Sequence, residues 1–116
     1  MSTLTYVYLM AKPLVVFTEI KSPPMSKKVQ REAGYLLRML QEGEKIGMPH
    51  SRSMTTIGRR CHELRISDSE ETWRIVYHIA ATEIVVLHAF KKKTQKTSQA
   101  TINLCKERLK AYRATD

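Results

Sequence analysis

Residues 72–90 read TWRIVYHIAATEIVVLHAF, two runs of β-branched and aromatic residues separated by a short link. Such residues favour strands, and so close a connection favours antiparallel pairing. A third run of the same kind, residues 60–66, precedes them and is joined to them by the acidic link 67–71. The chain therefore predicts an antiparallel meander over residues 60–66, 72–79 and 83–90.

Side chains alternate between the two faces of a strand. In residues 72–79 the odd positions are Trp, Ile, Tyr and Ile, which predicts one core-facing side and leaves Arg74 on the other. Positions 64 and 66 are Leu and Ile, so Arg65 also faces away from the core. We therefore expect Arg65 and Arg74 to project from one open face, and Arg74→Ala to leave the fold intact. The competing interpretation pairs Arg65 with a surface carboxylate such as Glu63.

The flanking segments predict helices. Ser26 is placed to cap an amphipathic helix over about Lys27–Lys45, and Ser98 to cap a last helix. The first strand is one of two apolar pieces, residues 5–9 or 14–17, and the polar residues 48–58 predict a loop. The order β, α, three β, α indicates an α+β fold, and 116 residues suit a single domain, 1–116.

Charge indicates an acidic partner. The chain has 20 Lys and Arg against 11 Asp and Glu, a formal net charge of +9. Four lysines, Lys91, Lys92, Lys93 and Lys96, follow the last predicted strand within six residues. A cation cluster fixed at a strand end suits a phosphate polyanion. Arginine binds phosphate through two hydrogen bonds and lysine adds a compact charge, so together they could stabilise a phosphorane during RNA cleavage.

Other chemistry has less support in the sequence. No metal or cofactor site is expected, because the carboxylates are scattered and no CxxC motif occurs. Arg59 and Arg60 could lower the pKa of Cys61, but no Cys-His-Asp arrangement supports a nucleophilic cysteine. With two cysteines and no apolar run long enough to span a membrane, the chain is expected to be reduced and cytoplasmic.

Four histidines are candidates for proton transfer: His50, His62, His78 and His88. His62 shares its strand parity with Leu64 and is expected to pack or to lie at the sheet margin. The place of His88 depends on the turn at 80–82, since a two-residue loop pairs it with Ile75 and a three-residue loop sets it beside Arg74. The sequence leaves this register and the role of each histidine open.

Several segments, in this order and spacing, resemble the RelE/ParE superfamily of type II toxins, specifically its HigB-like, phage-related killer-protein branch. They are IKSPPMS (20–26), EAGYLL (32–37), LQEG (40–43), IG (57–58), ELRI (63–66), WRIVY (73–77) and LHAFKKKTQKT (87–97). The resemblance implies a compact RelE-like α+β fold, with helices packed on one side of a mostly antiparallel sheet and basic residues on its concave face.

The resemblance also implies a function. Toxins of this kind cleave mRNA in the ribosomal A site without a metal, and an antitoxin, often a helix-turn-helix protein, neutralises them. The implied catalytic residues are Arg65, Arg74, Lys92 and Lys93, with Tyr112 as a loose positional match whose alternative role is helix packing. The expected RNA-binding residues are Lys91, Lys96, Arg59 and Arg60.

Two alternatives remain, because a shared fold does not fix function. ParE relatives have the same fold but act on gyrase, so a toxin that binds a protein target is possible. The other is a nucleic-acid-binding module without catalytic activity.

Overall fold

The computed structural model describes residues 11–17, 24–69, 71–92 and 96–115. Its elements are β1 (Leu14–Val16), α1 (Lys27–Gln41), β2 (Ser51–Ser53), β3 (Cys61–Ser67), β4 (Thr72–Ile79), β5 (Ile84–Lys91) and α2 (Gln99–Ala114). The strands form one sheet in the order β1-β5-β4-β3-β2, antiparallel except for the parallel pair β1–β5. The α+β class, the mostly antiparallel sheet and the meander over β3, β4 and β5 are confirmed.

The helix starts agree with their predicted caps. The hydroxyl of Ser26 accepts a hydrogen bond from the backbone N–H of Val29 at 3.2 Å, and that of Ser98 accepts one from Thr101 at 3.1 Å. The predicted extension of the first helix to residue 45 was wrong. The helix stops at Gln41 because Gly43 takes a left-handed conformation, φ 87°, and turns the chain away.

The two helices lie on opposite faces of the sheet, so the expectation that both pack on one side was wrong. Buried residues of α1 pack with Leu64, Trp73 and Ile75, whereas Cys105 and Leu109 of α2 pack with Val76, Val85 and Leu87. The physical reason is in the continuous apolar run 84–87, which supplies alternate side chains to both cores.

A β-bulge sets the register of the last hairpin. The link 80–83 joins Ile79 to its partner Ile84, and the register shifts by one residue between Val76 and Tyr77. His88 consequently lies opposite Val76, which neither of the two considered loop lengths predicts.

Two further expectations concern the chain before β3. Of the two candidates for the first strand, residues 14–16 form β1, and residues 5–9 lie outside the described residues. The predicted loop 48–58 contains the short strand β2, which pairs with β3. In the part of the chain that the structure describes, no helix is long and apolar enough to cross a membrane.

Candidate functional site

Arg65 and Arg74 are direct partners across the β3–β4 ladder, which places both side chains on one face of the sheet. That shared face is confirmed. The expectation of an open face for Arg74 was wrong, since the residue is 4% exposed, whereas Arg65 is half-buried. Both line a cavity of about 390 Å³ together with Glu32, Pro49, His50, Ser67 and Thr72.

Glu63 accounts for the burial of Arg74. Its carboxylate is 1% exposed, and its Oε1 lies 3.2 Å from the Nε of Arg74 in an ion pair that lacks hydrogen-bond geometry. The Nη1 of Arg74 donates to the backbone carbonyl of Trp73 at 3.3 Å. The hydroxyl of Thr97 donates to the second Glu63 oxygen at 2.5 Å. Glu63 therefore links Arg74 to the segment that follows the lysines.

Lys92 extends the same group of charges. Its backbone N–H donates to the carbonyl of Thr72 at 2.7 Å, which continues the ladder beyond β5. Burial, and then the positive charges of Arg74, Arg65 and Arg52, lower the pKa of Lys92, while Glu63 acts in the opposite direction. The pKa of Arg74 is also lowered, first by burial. We call Arg52, Arg65, Arg74 and Lys92 the basic cluster, and Glu63 is the carboxylate within it.

Arg52 is the member that the sequence did not predict. It belongs to β2 and lies opposite Glu63, which aligns it with the other cations. The segment SRS has no strand-forming composition. Its strand exists because β3 offers an edge, and no local pattern could have shown this.

The other three lysines that follow the last predicted strand do not lie in the basic cluster as the structure describes it. Lys91 is on the opposite face, where its Nζ lies 2.8 Å from Glu71 and 6.0 Å from the centre of the Trp73 ring. Lys96 is exposed and lines a cavity of about 310 Å³ with Arg52. Lys93 lies outside the described residues. Of the four lysines, Lys92 is the one that the structure brings to Arg65 and Arg74 within the described residues.

Tyr112, Arg59 and Arg60 lie at the other end of β4. They line a cavity of about 300 Å³ near Ile79, and the Tyr112 hydroxyl donates to a carboxylate oxygen of Glu83. Ile79, at this end, is five residue steps along β4 from Arg74, roughly 16 Å at the rise of a strand. The structure does not bring Tyr112 to the basic cluster.

The histidines occupy four different surroundings. His50 lines the cavity of the basic cluster. His62 is half-buried and stacks on Tyr77, with ring centres 5.3 Å apart, so its expected packing role is confirmed. His88 accepts a hydrogen bond from the Arg108 guanidinium at 3.2 Å. His78 is 7% exposed, and its Nδ1 lies 3.6 Å from the Cys61 sulfur.

Cys61 does not have the properties of a nucleophile. Burial raises the pKa of its thiol to about 11, and the positive charge of Arg113 offsets only part of that effect. The suggested lowering by its arginine neighbours was wrong. Among the described residues, no three His, Cys, Asp or Glu side chains are grouped to hold a metal ion.

The fold and the site define a small basic α+β protein in which cations of three strands surround one buried carboxylate. The chain belongs to the phage derived protein Gp49-like family (DUF891), whose model matches residues 23–110, and Gp49-like proteins belong to the RelE/HigB-type toxin group. The matched region includes the whole basic cluster and is consistent with a toxin-like protein. No curated protein and no solved structure matches the chain.

Proposed function

We propose that this protein is the toxin of a type II toxin-antitoxin system, of the HigB-like branch, and that it cleaves mRNA on the ribosome. The observation that carries the proposal is the convergence of Arg65, Arg74 and Lys92 at one place on the sheet. Like charges repel, and the carboxylate of Glu63 is paired with Arg74, so the cations that remain favour the binding of an anion. A phosphodiester is the anion that an RNA-directed toxin would place in the cavity.

The residues have distinct roles in this mechanism. Half-buried Arg65 can contact the scissile phosphate from the cavity wall, while Glu63 holds Arg74 in a fixed orientation beneath it. Lys92 neutralises the developing charge of the phosphorane, and its lowered pKa makes it a readier proton donor to the leaving oxygen. The imidazole of His50 lines the same cavity and is the candidate for accepting the proton of the 2′-hydroxyl.

The test uses Arg65→Gln and Lys92→Gln in single-turnover cleavage of mRNA bound to ribosomes, read by primer extension. Loss of a transition-state phosphate contact is expected to slow cleavage by on the order of a hundredfold in each. The matched control is Arg38→Gln, whose side chain is exposed on α1 and paired with Glu42. Cleavage by Arg65→Gln at the rate of the control would reject the site.

Two wider expectations belong to the same proposal. Expression without a cognate helix-turn-helix antitoxin is expected to arrest growth, and co-expression of that antitoxin to restore it. Free RNA is expected to be cut poorly compared with ribosome-bound mRNA. Equal cleavage of the two substrates would reject ribosome dependence.

A second candidate function is a toxin that binds a protein target, as ParE relatives do. It is favoured by an apolar cavity of about 550 Å³ beside α1, where Tyr35 and Met48 are each 65% exposed. Growth arrest by a variant with serine at both positions, compared with growth arrest by Arg65→Gln, distinguishes the two functions. Growth arrest that depends on these residues, and not on Arg65, would favour the protein target.

A further inference from the structure

Three arginines converge at the end of β4 away from the basic cluster. Arg59 and Arg60 precede β3, Arg113 lies in the last turn of α2, and all three line the cavity of about 300 Å³. None of the three is ion-paired within the described ranges. All three are exposed, so their guanidinium groups are accessible to a ligand. Three guanidinium groups without carboxylate partners around one cavity are suited to an anion.

The cavity also contains a buried polar group. His78 lines it and is 7% exposed. Its Nδ1 lies 3.6 Å from the Cys61 sulfur, which in turn donates to the backbone carbonyl of Arg59 at 3.7 Å. His78 therefore contacts, through Cys61, the turn that carries two of the three arginines.

The backbone supplies a third, independent observation. Arg60 has φ 59°, in the left-handed region that residues with a Cβ seldom adopt. Such conformations are retained where the surrounding structure determines them, and they concentrate at functional sites. On the opposite wall, the bond from Tyr112 to Glu83 fixes the helix turn beside Arg113. Both walls of the cavity are thus held in place.

We propose that this cavity is a second phosphate-binding site, which holds the backbone of RNA roughly 16 Å from the basic cluster. We call Arg59, Arg60 and Arg113 the second arginine group. The inference rests on the proposed function for the identity of the nucleic acid. The cavity lies five residue steps along β4 from Arg74, too far for the second arginine group to contact the scissile phosphate. Its role is therefore to bind RNA and not to take part in cleavage. RNA that spans both places would be held at two points, which fixes its direction across the sheet.

The experiment measures equilibrium binding of the full chain to a labelled single-stranded RNA oligonucleotide over a series of salt concentrations. Replacing the second arginine group by glutamine is expected to lower affinity at least tenfold at low salt. It is also expected to reduce the slope of log affinity against log salt by about two, since each phosphate contact on a single strand contributes about 0.7. Arg113→Gln alone should reduce the slope by less than one.

A charge-matched variant, with glutamine at Lys27, Lys28 and Arg31, is the control because these side chains are exposed on α1, which packs on the other face of the sheet from α2. Equal losses in the two triple variants would overturn the proposal, because net charge alone would then explain binding. Circular dichroism and thermal unfolding establish that each variant is folded. Should the triple variant fail to fold, unchanged affinity and salt slope in Arg113→Gln would overturn the proposal as well.

Two further measurements are needed. One distinguishes RNA from a free anion as the ligand, and the other distinguishes failure of this proposal from failure of the proposed function. Inorganic phosphate that stabilises the wild type but not the triple variant, with RNA binding equal in both, would assign the cavity to a free anion and overturn the RNA assignment. Binding is measured without cleavage, so the outcomes are independent. If the wild-type protein cleaves no mRNA, and only the second-arginine-group variant loses RNA affinity, the endoribonuclease proposal is rejected and this binding site is retained.

Discussion

Removing the guanidinium of Arg74 is expected to destabilise the fold strongly. Its side chain is 5% exposed and that of Glu63 is 1% exposed, with 3.2 Å between Nε and Oε1. Breaking a buried ion pair by removing one partner costs about 3–5 kcal/mol, because the other charge stays buried. A domain of this size has about 5–15 kcal/mol of stability in all. Arg74→Ala is therefore a poor test of catalysis, contrary to what the strand pattern alone suggested.

Removing the charge of Arg74 and removing that of Glu63 are expected to reduce the free energy of unfolding by different amounts. Arg74→Met leaves Glu63 with Lys92, Arg65 and Arg52 as neighbouring cations, whereas Glu63→Gln leaves those cations and Arg74 without their carboxylate. Glu63→Gln should therefore be the more destabilising change. In the double variant neither buried charge is left alone, so its loss of stability should be smaller than the sum of the two single losses.

Urea unfolding of the wild type, both single variants and the double variant measures these free energies. Arg38→Met is the matched control, since its Arg38–Glu42 pair is 2.9 Å long but 65% and 43% exposed. An exposed pair of this spacing on a helix contributes about 0.3–0.5 kcal/mol. The reasoning would be refuted if Arg74→Met cost no more than this control, or if the losses in the double variant were additive.

The remaining predictions concern other parts of the molecule. Thr97→Val should reduce single-turnover cleavage and Thr97→Ser should retain it, because the hydroxyl donates to Glu63; equal rates would show that this hydrogen bond does not position Arg74. Burial lowers the pKa of three histidines, including His78, from near 6.5, so unfolding takes up protons. Stability is then fully present above pH 6.5 and falls as the pH drops below it, and urea midpoints that stay constant from pH 7 to pH 5 would contradict this. Cys61, with a thiol pKa of about 11, should react with a thiol reagent at pH 8 only after denaturation, so rapid labelling of the native protein would disprove its burial.

Strand alternation predicted the part of the site that lies within one sheet face. Arg65 and Arg74 share a face because the parity of β3 and β4 requires it, whatever the partner strands are. Alternation does not say whether that face is covered. The second core, built on Val76 and Leu87 with α2, covers much of it. A pattern that treats each strand separately therefore cannot predict the burial of Arg74.

The remaining differences come from contacts between distant segments. The bulge between β4 and β5 decides the place of His88, and neither strand carries a Gly or a Pro that would indicate a bulge. Arg52 reaches the cluster through pairing at the edge of β3. Tyr112 was linked to the lysines through a family resemblance, yet α2 carries it to the opposite end of the sheet. Such placements depend on packing across the chain, which local sequence does not determine.

The buried position of Glu63 explains how the fold accommodates four neighbouring cations. Four cations at one place would repel one another strongly without a counter-charge, and an exposed carboxylate would be screened by water and would compete for the same phosphate. A carboxylate that is 1% exposed avoids both problems, because it offsets the repulsion from within the fold and does not face the cavity ligand. Its two oxygens are directed to Arg74 and Thr97, and within the described residues neither Arg65 nor Lys92 forms an ion pair with a carboxylate. The cluster therefore keeps a net positive charge for a phosphate while its most buried cation remains paired.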